Sequence, residues 1–211
     1  MRVVVGLTGG IACGKSTVAK QLRGLGAWHM DVDAVGRQVV RPGSPSLDAI
    51  ARAFGAAMVG QDGALDRPRL AAVVFGDPDQ RHKLEAIVHP AMRQQIGADL
   101  AAFRADPQAT VAVIDAAILF EMGLDALCDE TLAIVAAPSV QIARLRAERN
   151  LSEQQALQRL AAQLDQAEWL AKADHSIDNS GTPGELATGV DKWWQGLCQR
   201  HAVVPPAGPS L

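Results

Sequence analysis

The chain carries, close to its start, the stretch Gly9-Gly10-Ile11-Ala12-Cys13-Gly14-Lys15-Ser16-Thr17, which we call the phosphate loop. It fits the pattern Gly, four residues, Gly-Lys-Ser/Thr, in which successive backbone N–H groups cradle phosphate oxygens. In this pattern Lys15 contacts the β/γ-phosphates, Ser16 offers a hydroxyl to Mg²⁺, and the following helix N-terminus favours the anion. We therefore predict binding of a nucleoside triphosphate by Gly10, Ile11, Ala12, Cys13, Gly14, Lys15, Ser16 and Thr17.

The residues on both sides of the phosphate loop supply the structural context that this pattern needs. Before it, Val3-Val4-Val5-Gly6-Leu7 is a nearly continuous apolar run, typical of a buried parallel strand. After it, Val18, Leu22 and Leu25 recur at helical spacing. The order strand, loop and helix argues against a glycine-rich turn that fits the pattern by chance.

Length and composition limit the possible classes of protein. The 211 residues, 48% of them hydrophobic and 20% charged, suit one α/β domain with inserted subdomains. A net charge of −3 gives no basic field for nucleic acid, and no apolar run reaches membrane-spanning length. The three distant cysteines and the absence of a signal peptide before the first strand predict reduced thiols in a cytoplasmic protein. The sequence favours no particular oligomeric state.

Two acidic residues follow the first helix. The run from Ala27 to Asp33 predicts a short strand that ends in Asp31 and Asp33, which share a face because alternate strand residues do. We expect one of them to cap the next helix at Ala34. The other would face the crevice where ligands bind at the carboxyl ends of parallel strands.

Residues 34–105 predict a helical insert without strands. Ser44-Pro45 has the form of a helix start, and His89-Pro90 predicts a junction between two helices. Taken alone, His89 is more often a cap or packing residue than a ligand. The arginines of this region are typical of a solvated surface.

Further strands follow the insert. Thr110–Asp115 and 131–136 read as buried strands, and 173–181 as a short strand and turn. Asp115 either holds Mg²⁺ through water or caps the next turn, and the residues do not decide between the two. Glu121 emerges from an apolar run and is a candidate for binding.

Residues 138–171 predict a pair of charged helices. Ser152-Glu153-Gln154-Gln155 has the form of a capping box that opens the second helix, whose apolar stripe is Leu157, Leu160 and Leu164. Arg149 falls at the junction, where the tip of a closing lid would lie. A last helix is predicted from Pro183 to Cys198, and a disordered tail over 201–211.

The predicted fold is α/β, with a mainly parallel five-stranded sheet in a three-layer α/β/α arrangement. One domain spans 1–200, with its core in 1–33, 106–137 and 172–200, the insert in 34–105 and the lid in 138–171. Insert and lid would border the crevice over the phosphate loop.

Three classes of function fit a phosphate loop. A small-molecule kinase accounts for the loop, the insert and the arginine-bearing lid. A GTPase-type switch would use Asp33-Ala34-Val35-Gly36, but this lies only 17 residues after Ser16, and Ala171-Lys172-Ala173-Asp174 lacks the guanine-reading asparagine. A regulatory ATPase would need more chain or a partner surface.

Several stretches together resemble the dephospho-coenzyme A kinase family, over about residues 3 to 181. Ala12-Cys13 departs from the Gly-Ser that is usual in the family, Val32 replaces an alanine, and Ala117 replaces a proline. Beside the phosphate loop, the stretches that carry the resemblance are Met30-Asp31-Val32-Asp33, Val39-Val40-Arg41-Pro42-Gly43, Asp62-Gly63-Ala64-Leu65-Asp66-Arg67, His89-Pro90, Ile118-Leu119-Phe120-Glu121, Gln141, Arg144, Arg149, Arg159, Gln163 and Ile177-Asp178-Asn179-Ser180-Gly181.

The resemblance implies transfer of a phosphoryl group from ATP, with Mg²⁺, to the ribose 3′-hydroxyl of dephospho-coenzyme A. It implies that Asp33 accepts the hydroxyl proton and that Lys15 and Arg149 stabilise the transferred group. It also implies that Asn179 lies at the ATP base, and that Asp33, His89 and Glu121 bind the acceptor. The partners are then small molecules, not nucleic acid or membrane, and a nucleoside monophosphate kinase remains the alternative.

Overall fold

The computed structural model describes residues 2–149, 151–161 and 166–204. Among them, five strands form one sheet in the order β2-β3-β1-β4-β5. The strands are β1 (Val3–Gly9), β2 (Trp28–Asp31), β3 (Val111–Asp115), β4 (Glu130–Val135) and β5 (His175–Asp178). Every residue of β1 is buried, as its apolar run predicts for a strand with both faces covered.

Strand register brings the carboxyl ends of neighbouring strands to one edge of the sheet. β1 pairs in parallel with both β3 and β4, and β4 pairs in parallel with β5. Leu7 lies opposite Asp115, and Gly9 lies opposite Ile134. The phosphate loop therefore leaves the middle strand at the edge where ligands bind in sheets of this kind.

Helices join these strands and form the insert. They are α1 (Lys15–Gly24), α2 (Val32–Val39), α3 (Pro45–Phe54), α4 (Arg67–Val74), α5 (Pro78–Ala105), α6 (Pro138–Arg149), α7 (Glu153–Ala161), α8 (Gln166–Lys172) and α9 (Pro183–Arg200). Short 3₁₀ turns lie at Ala56–Met58 and Asp125–Leu127. In the part of the chain that the structure describes, no helix combines the length and the apolar character needed to cross a membrane.

Polar side chains start several of these helices. The Ser44 hydroxyl accepts a hydrogen bond from the Leu47 amide (3.3 Å) at the start of α3. The predicted capping box before α7 is confirmed, because Ser152 and Gln155 exchange hydrogen bonds of 2.9 and 3.2 Å. Local sequence signals therefore fix where these helices begin.

The described residues fall into two compact units. One is Asp31–Ala102, and the other comprises the described residues on either side of it. The sheet unit has a core of strand residues packed against α1 and α9, including Val5, Leu132, Val190 and Trp194. Asp31–Ala102 has its own buried cluster: Val40, Ile50, Met58 and Leu70.

The strand predicted over 27–33 is shorter than expected. β2 ends at Asp31, whose carboxylate accepts a hydrogen bond from the Ala34 amide (3.1 Å) and so caps α2. The expected cap at Ala34 is confirmed, but Asp33 lies in the first turn of α2. The prediction that both acids share one strand face is therefore wrong, because the cap starts a helix one residue after Asp31.

The junction predicted at His89-Pro90 is also wrong. α5 runs without a break from Pro78 to Ala105, with Pro90 inside it. Partly buried Leu84 and Ile87 precede the proline, and buried Ile96 follows it. Packing on both sides of Pro90 thus offsets the roughly 3 kcal/mol that an internal proline costs a helix.

The apolar stripe predicted for the second lid helix is not buried as expected. Leu157 is 50% exposed, whereas Ala156 is fully buried. Leu164, like Gln163, lies outside the described residues. At the other end of the chain, Val203 packs in the core at 6% exposure, so order extends past residue 201, where we predicted the tail to begin. Residues 205–211 lie outside the described residues.

A charge cluster at the start of β4 predicts how stability depends on pH. Hydrogen bonds from the Arg200 guanidinium (2.7 and 2.8 Å) lower the pKa of Glu130 to about 2, against the opposing effect of burial. His201 and His175 also contact this carboxylate, at 2.8 and 3.0 Å. Glu130→Gln should cost about 1–2 kcal/mol of unfolding free energy at neutral pH, a value discounted because the Arg200 side chain is 41% exposed.

The sign of the pH dependence follows from the lowered pKa. Glu130 contributes stability above its unfolded pKa of 4.5, and that stability is lost as pH falls toward about 2. Denaturant unfolding of the wild type and of Glu130→Gln should therefore give unfolding free energies that converge as the pH falls from 4.5 toward 2. Glu153→Gln is the matched control, since Glu153 and Arg146 are 65% and 57% exposed and 3.8 Å apart. If the difference in unfolding free energy between the wild type and Glu130→Gln did not change with pH, this role of Glu130 would be contradicted.

Candidate active site

The N-terminus of α1 lies within the phosphate loop. Gly14 precedes α1 with a left-handed φ of 91° and provides no side-chain cap. The first turn of α1 contains no acidic residue, and Ser16 and Thr17 are exposed. An uncapped helix N-terminus with exposed hydroxyls is suited to binding an anion.

Two glycines of the loop have no room for a side chain. A Cβ on Gly9 would lie 2.4 Å from the Ile134 carbonyl oxygen and 2.8 Å from Cys13 Sγ. A Cβ on Gly14 would lie 2.2 Å from Asn179 Nδ2. Ala12 stands where the resembled family has glycine, and it keeps the left-handed backbone at φ 57°. The cradle therefore forms in spite of this departure, at some cost in backbone strain.

Three polar side chains hold the loop from outside through its carbonyl oxygens. Asn179 Nδ2 donates to the Cys13 carbonyl at 2.8 Å, and Gln141 Nε2 donates to the Ile11 carbonyl at 2.8 Å. Arg144 donates both to the Ala12 carbonyl (3.2 Å) and to the Asn179 carbonyl (2.9 Å). These contacts hold the loop from outside in the curled conformation that suits phosphate binding.

Lys15 is held by an acidic residue at the end of the neighbouring strand. Its Nζ contacts Asp115 Oδ1, and His29 Nε2 lies 3.1 Å from Asp115 Oδ2. Burial alone would raise the pKa of Asp115, but the hydrogen bond with His29 and the charge and hydrogen bond of Lys15 outweigh it and lower that pKa. Asp115 is thus an ionised carboxylate beside the loop.

The alternative role for Asp115, as a cap of the following turn, does not fit this geometry. No backbone N–H among the described residues donates to its side chain; its hydrogen-bond partners are Lys15 and His29. The sequence had placed His29 in β2 without assigning it a role. Its position two residues before Asp31, on a strand beside β3, is the signal that could have suggested it.

Cys13 is enclosed within the loop. It is fully buried, and burial raises the pKa of its thiol against the opposing effects of Lys15 and nearby backbone N–H groups. A thiolate is the reactive form, so burial and the raised pKa both disfavour reaction of this thiol, and Cys13 serves as a packing residue. Its Sγ fills the space beside Gly9.

Two further predicted residues of the sheet unit are accessible to solvent. Arg149 is the exposed last residue of α6, at the junction where we predicted it, and forms no hydrogen bond or ion pair with a described residue. Glu121 is exposed in the turn after β3, between buried Leu119 and Met122. Their roles stay predictions.

The remaining two predicted residues belong to the unit Asp31–Ala102. Asp33 is exposed in the first turn of α2, and His89 is partly buried in α5. Neither side chain has a hydrogen-bond partner among the described residues of this unit. Their parts in acceptor binding also stay predictions.

Fold and loop together define a class of protein. A parallel five-stranded sheet of this order, with a phosphate loop after its middle strand and helices on its faces, is the P-loop kinase fold. The sequence model of one family within this class, dephospho-CoA kinase, matches residues 3–185. The chain therefore belongs to the dephospho-CoA kinase family.

Individual relatives agree with this assignment. The chain is 46% identical to the dephospho-CoA kinase of Anaeromyxobacter dehalogenans, over 90% of this chain and 89% of the relative. The crystal structure of TT1252 from Thermus thermophilus superposes with a TM-score of 0.78 at 31% identity, covering 93% and 98% of the two chains. The dephospho-CoA kinase of Campylobacter jejuni, 22% identical, shares the fold with a TM-score of 0.62 over 93% and 97%.

The contacts of Asn179 predict a testable effect on the loop. Asn179 is 5% exposed, so Asn179→Ala leaves the Cys13 carbonyl without its partner and opens a gap beside Gly14. We expect a loss of about 1–3 kcal/mol in unfolding free energy. We also expect ATP affinity to fall at least about tenfold, because the loop must then be ordered on binding.

Denaturant unfolding and calorimetric titration with ATP measure the two effects. Gln199→Ala, which removes an exposed amide from α9, is the control and should change neither quantity. Unchanged ATP affinity in Asn179→Ala would mean that the loop keeps its shape without this hydrogen bond.

Proposed function

We propose that this protein transfers the γ-phosphoryl group of ATP to the ribose 3′-hydroxyl of dephospho-coenzyme A, giving coenzyme A and ADP. The observation that carries the proposal is the phosphate loop, with Lys15 held by Asp115, in a chain of the dephospho-CoA kinase family. The acceptor follows from the family, since a phosphate loop serves many kinases. The thiols of Cys13, Cys128 and Cys198 are free, which supports a cytoplasmic location.

On the ATP side, the proposed roles follow from charge and exposure. Phosphoryl transfer depends on positioning and charge neutralisation more than on covalent chemistry. The loop amides would bind the β- and γ-phosphates, and Lys15 would leave Asp115 to join them. Arg149 is exposed and free to reach the transferred group from α6. We assign the helices of 138–171 to a lid that would exclude water.

The donors beside the loop fit Mg²⁺. This cation keeps most of its waters and uses one or two protein oxygens together with substrate phosphates. The exposed Ser16 hydroxyl and the ionised Asp115 carboxylate are donors of that kind. Consistent with so few protein ligands, the described residues contain no cluster of three or more His, Cys, Asp or Glu side chains able to hold a metal. Bound there, Mg²⁺ would neutralise phosphate charge, while Ser16 would orient the nucleotide.

On the acceptor side, we assign the insert 34–105 to dephospho-coenzyme A. Asp33 would take the proton from the 3′-hydroxyl, a role that requires an accessible carboxylate, and Asp33 is exposed. His89 and Glu121 would bind the acceptor. Asp31 has a structural role, because its carboxylate caps α2 and accepts a hydrogen bond from Arg37 at 3.2 Å.

An acceptor panel tests the proposed reaction. Purified protein is mixed with Mg²⁺ and γ-labelled ATP, and dephospho-coenzyme A, nucleoside monophosphates and shikimate are offered in parallel. We expect label to pass to dephospho-coenzyme A. Transfer only to a nucleoside monophosphate would favour the alternative kinase, and acceptor-independent hydrolysis would favour an ATPase.

Asp33→Asn tests the proposed base. The amide cannot accept a proton, so kcat should fall by a factor on the order of 10² or more, with ATP affinity unchanged. Asp31→Asn is a matched control with the same chemical change two residues away. Asparagine is as good an N-cap as aspartate, so this variant should retain near-normal turnover. Near-normal turnover in Asp33→Asn would eliminate Asp33 as the base.

A further inference from the structure

A cavity of about 430 Å³ lies wholly within the unit Asp31–Ala102. It is bounded by the end of α2, the turn before α3, the first residues of α3 and one face of α5. This volume falls in the range typical of small-molecule sites. The polar side chains that line it are Gln38, Arg41, Ser44, Ser46, Gln94 and Gln95.

Ser46 contributes a hydroxyl group to the wall of this cavity. Its residue is only 8% exposed, it lines the cavity, and its hydroxyl has no hydrogen bond to any described residue. The Ser46 hydroxyl therefore offers the cavity both a hydrogen-bond donor and an acceptor.

Hydrogen bonds within the protein already engage some atoms of the other lining groups. The donors and acceptors that these bonds leave free define the ligand. Gln95 donates its amide N–H to Asp99 at 2.8 Å, which leaves its carbonyl oxygen as an acceptor. The Ser44 oxygen accepts from Leu47, which leaves its O–H as a donor. Gln38 and Gln94 offer both kinds of group. The cavity thus combines donors with acceptors among apolar atoms of Val39, Pro45, Ala91 and Ala98.

This combination favours a neutral ligand that contains amides. A phosphate or diphosphate group accepts hydrogen bonds only, so it would leave the Gln95 carbonyl without a donor. Arg41 is the one charged side chain in the lining, which is little charge for a dianion. A secondary amide, in contrast, needs one donor and one acceptor for each peptide-like group.

We propose that this cavity binds the pantetheine arm of the acceptor, the part of dephospho-coenzyme A with amides, a hydroxyl group and a terminal thiol. The inference rests on the proposed function and adds to it the subsite that would recognise the end of the acceptor remote from the reacting ribose. Ser46 and the glutamines bind the amides, and the apolar atoms contact the carbon chain.

Ala98→Phe tests the subsite by filling it. Ala98 is an exposed residue of α5 at the cavity wall, so a larger side chain enters the cavity without disturbing the core. We expect KM for dephospho-coenzyme A to rise at least about tenfold, with kcat and KM for ATP within about twofold. Ala101→Phe, at an exposed position outside the cavity on the same helix, is the matched control and should behave as wild type.

Titration with pantetheine alone, followed by NMR, tests binding without catalysis. Side-chain amide resonances of Gln38, Gln94 and Gln95 should shift in the wild type and in Ala101→Phe, but not in Ala98→Phe. Ser46→Ala should weaken this binding about threefold or more. Because the titration does not depend on the reaction, it separates failure of the subsite from failure of the proposed function.

Several outcomes would overturn the proposal. Unchanged KM for dephospho-coenzyme A in Ala98→Phe would contradict an arm subsite. So would shifts of these resonances with pyrophosphate and none with pantetheine, which would assign the cavity to an anion.

Discussion

The hydrogen bond from Asn179 to the Cys13 carbonyl is the contact on which the active site depends. It ties the residue after β5 to the turn that precedes α1, and Gly14 lacks a Cβ because Asn179 occupies that space. Arg144 adds to it by bonding both the loop and the Asn179 carbonyl. The loop is therefore ordered when the protein folds, and little of the free energy of nucleotide binding is spent on ordering it.

A second constraint is the charge of Lys15. An ammonium group that is only 19% exposed needs a counter-charge, and Asp115 at the end of β3 supplies it. His29 bonds the other carboxylate oxygen, which fixes the orientation of the acid. In the proposed reaction, phosphate oxygens would take the place of Asp115 at Lys15, and the carboxylate would then be available to Mg²⁺.

Much of the fold could be predicted from the sequence. The apolar runs gave the strands, and the glycines with Lys15 gave the phosphate loop, because both are local patterns with strong steric or chemical requirements. The predicted boundaries of strands and helices were wrong where one local signal competed with another or with tertiary packing. Asp31 caps α2 and ends a strand that alternation alone would extend, and packing carries α5 through Pro90. Intrinsic helix propensity is a weak predictor of structure where tertiary contacts oppose it.

The site was predicted less completely, for a physical reason. Supports such as Asn179 with Cys13 join residues 166 positions apart, and no spacing rule reveals such a pair. His29 was overlooked because a lone histidine in a strand carries no pattern; only the order β2-β3 in the sheet gives it a partner. The complete burial of Cys13 likewise could not be read from its place in the loop.

The position of the new phosphate tests the central claim most directly. Phosphorus and proton NMR of a reaction with ATP and dephospho-coenzyme A would follow both products without any label. We expect ADP to appear together with a phosphomonoester whose phosphorus couples to the ribose 3′ proton of the acceptor. Inorganic phosphate as the sole new phosphorus signal would contradict the proposed transfer. So would coupling of the new phosphorus to a proton on a different carbon of the acceptor.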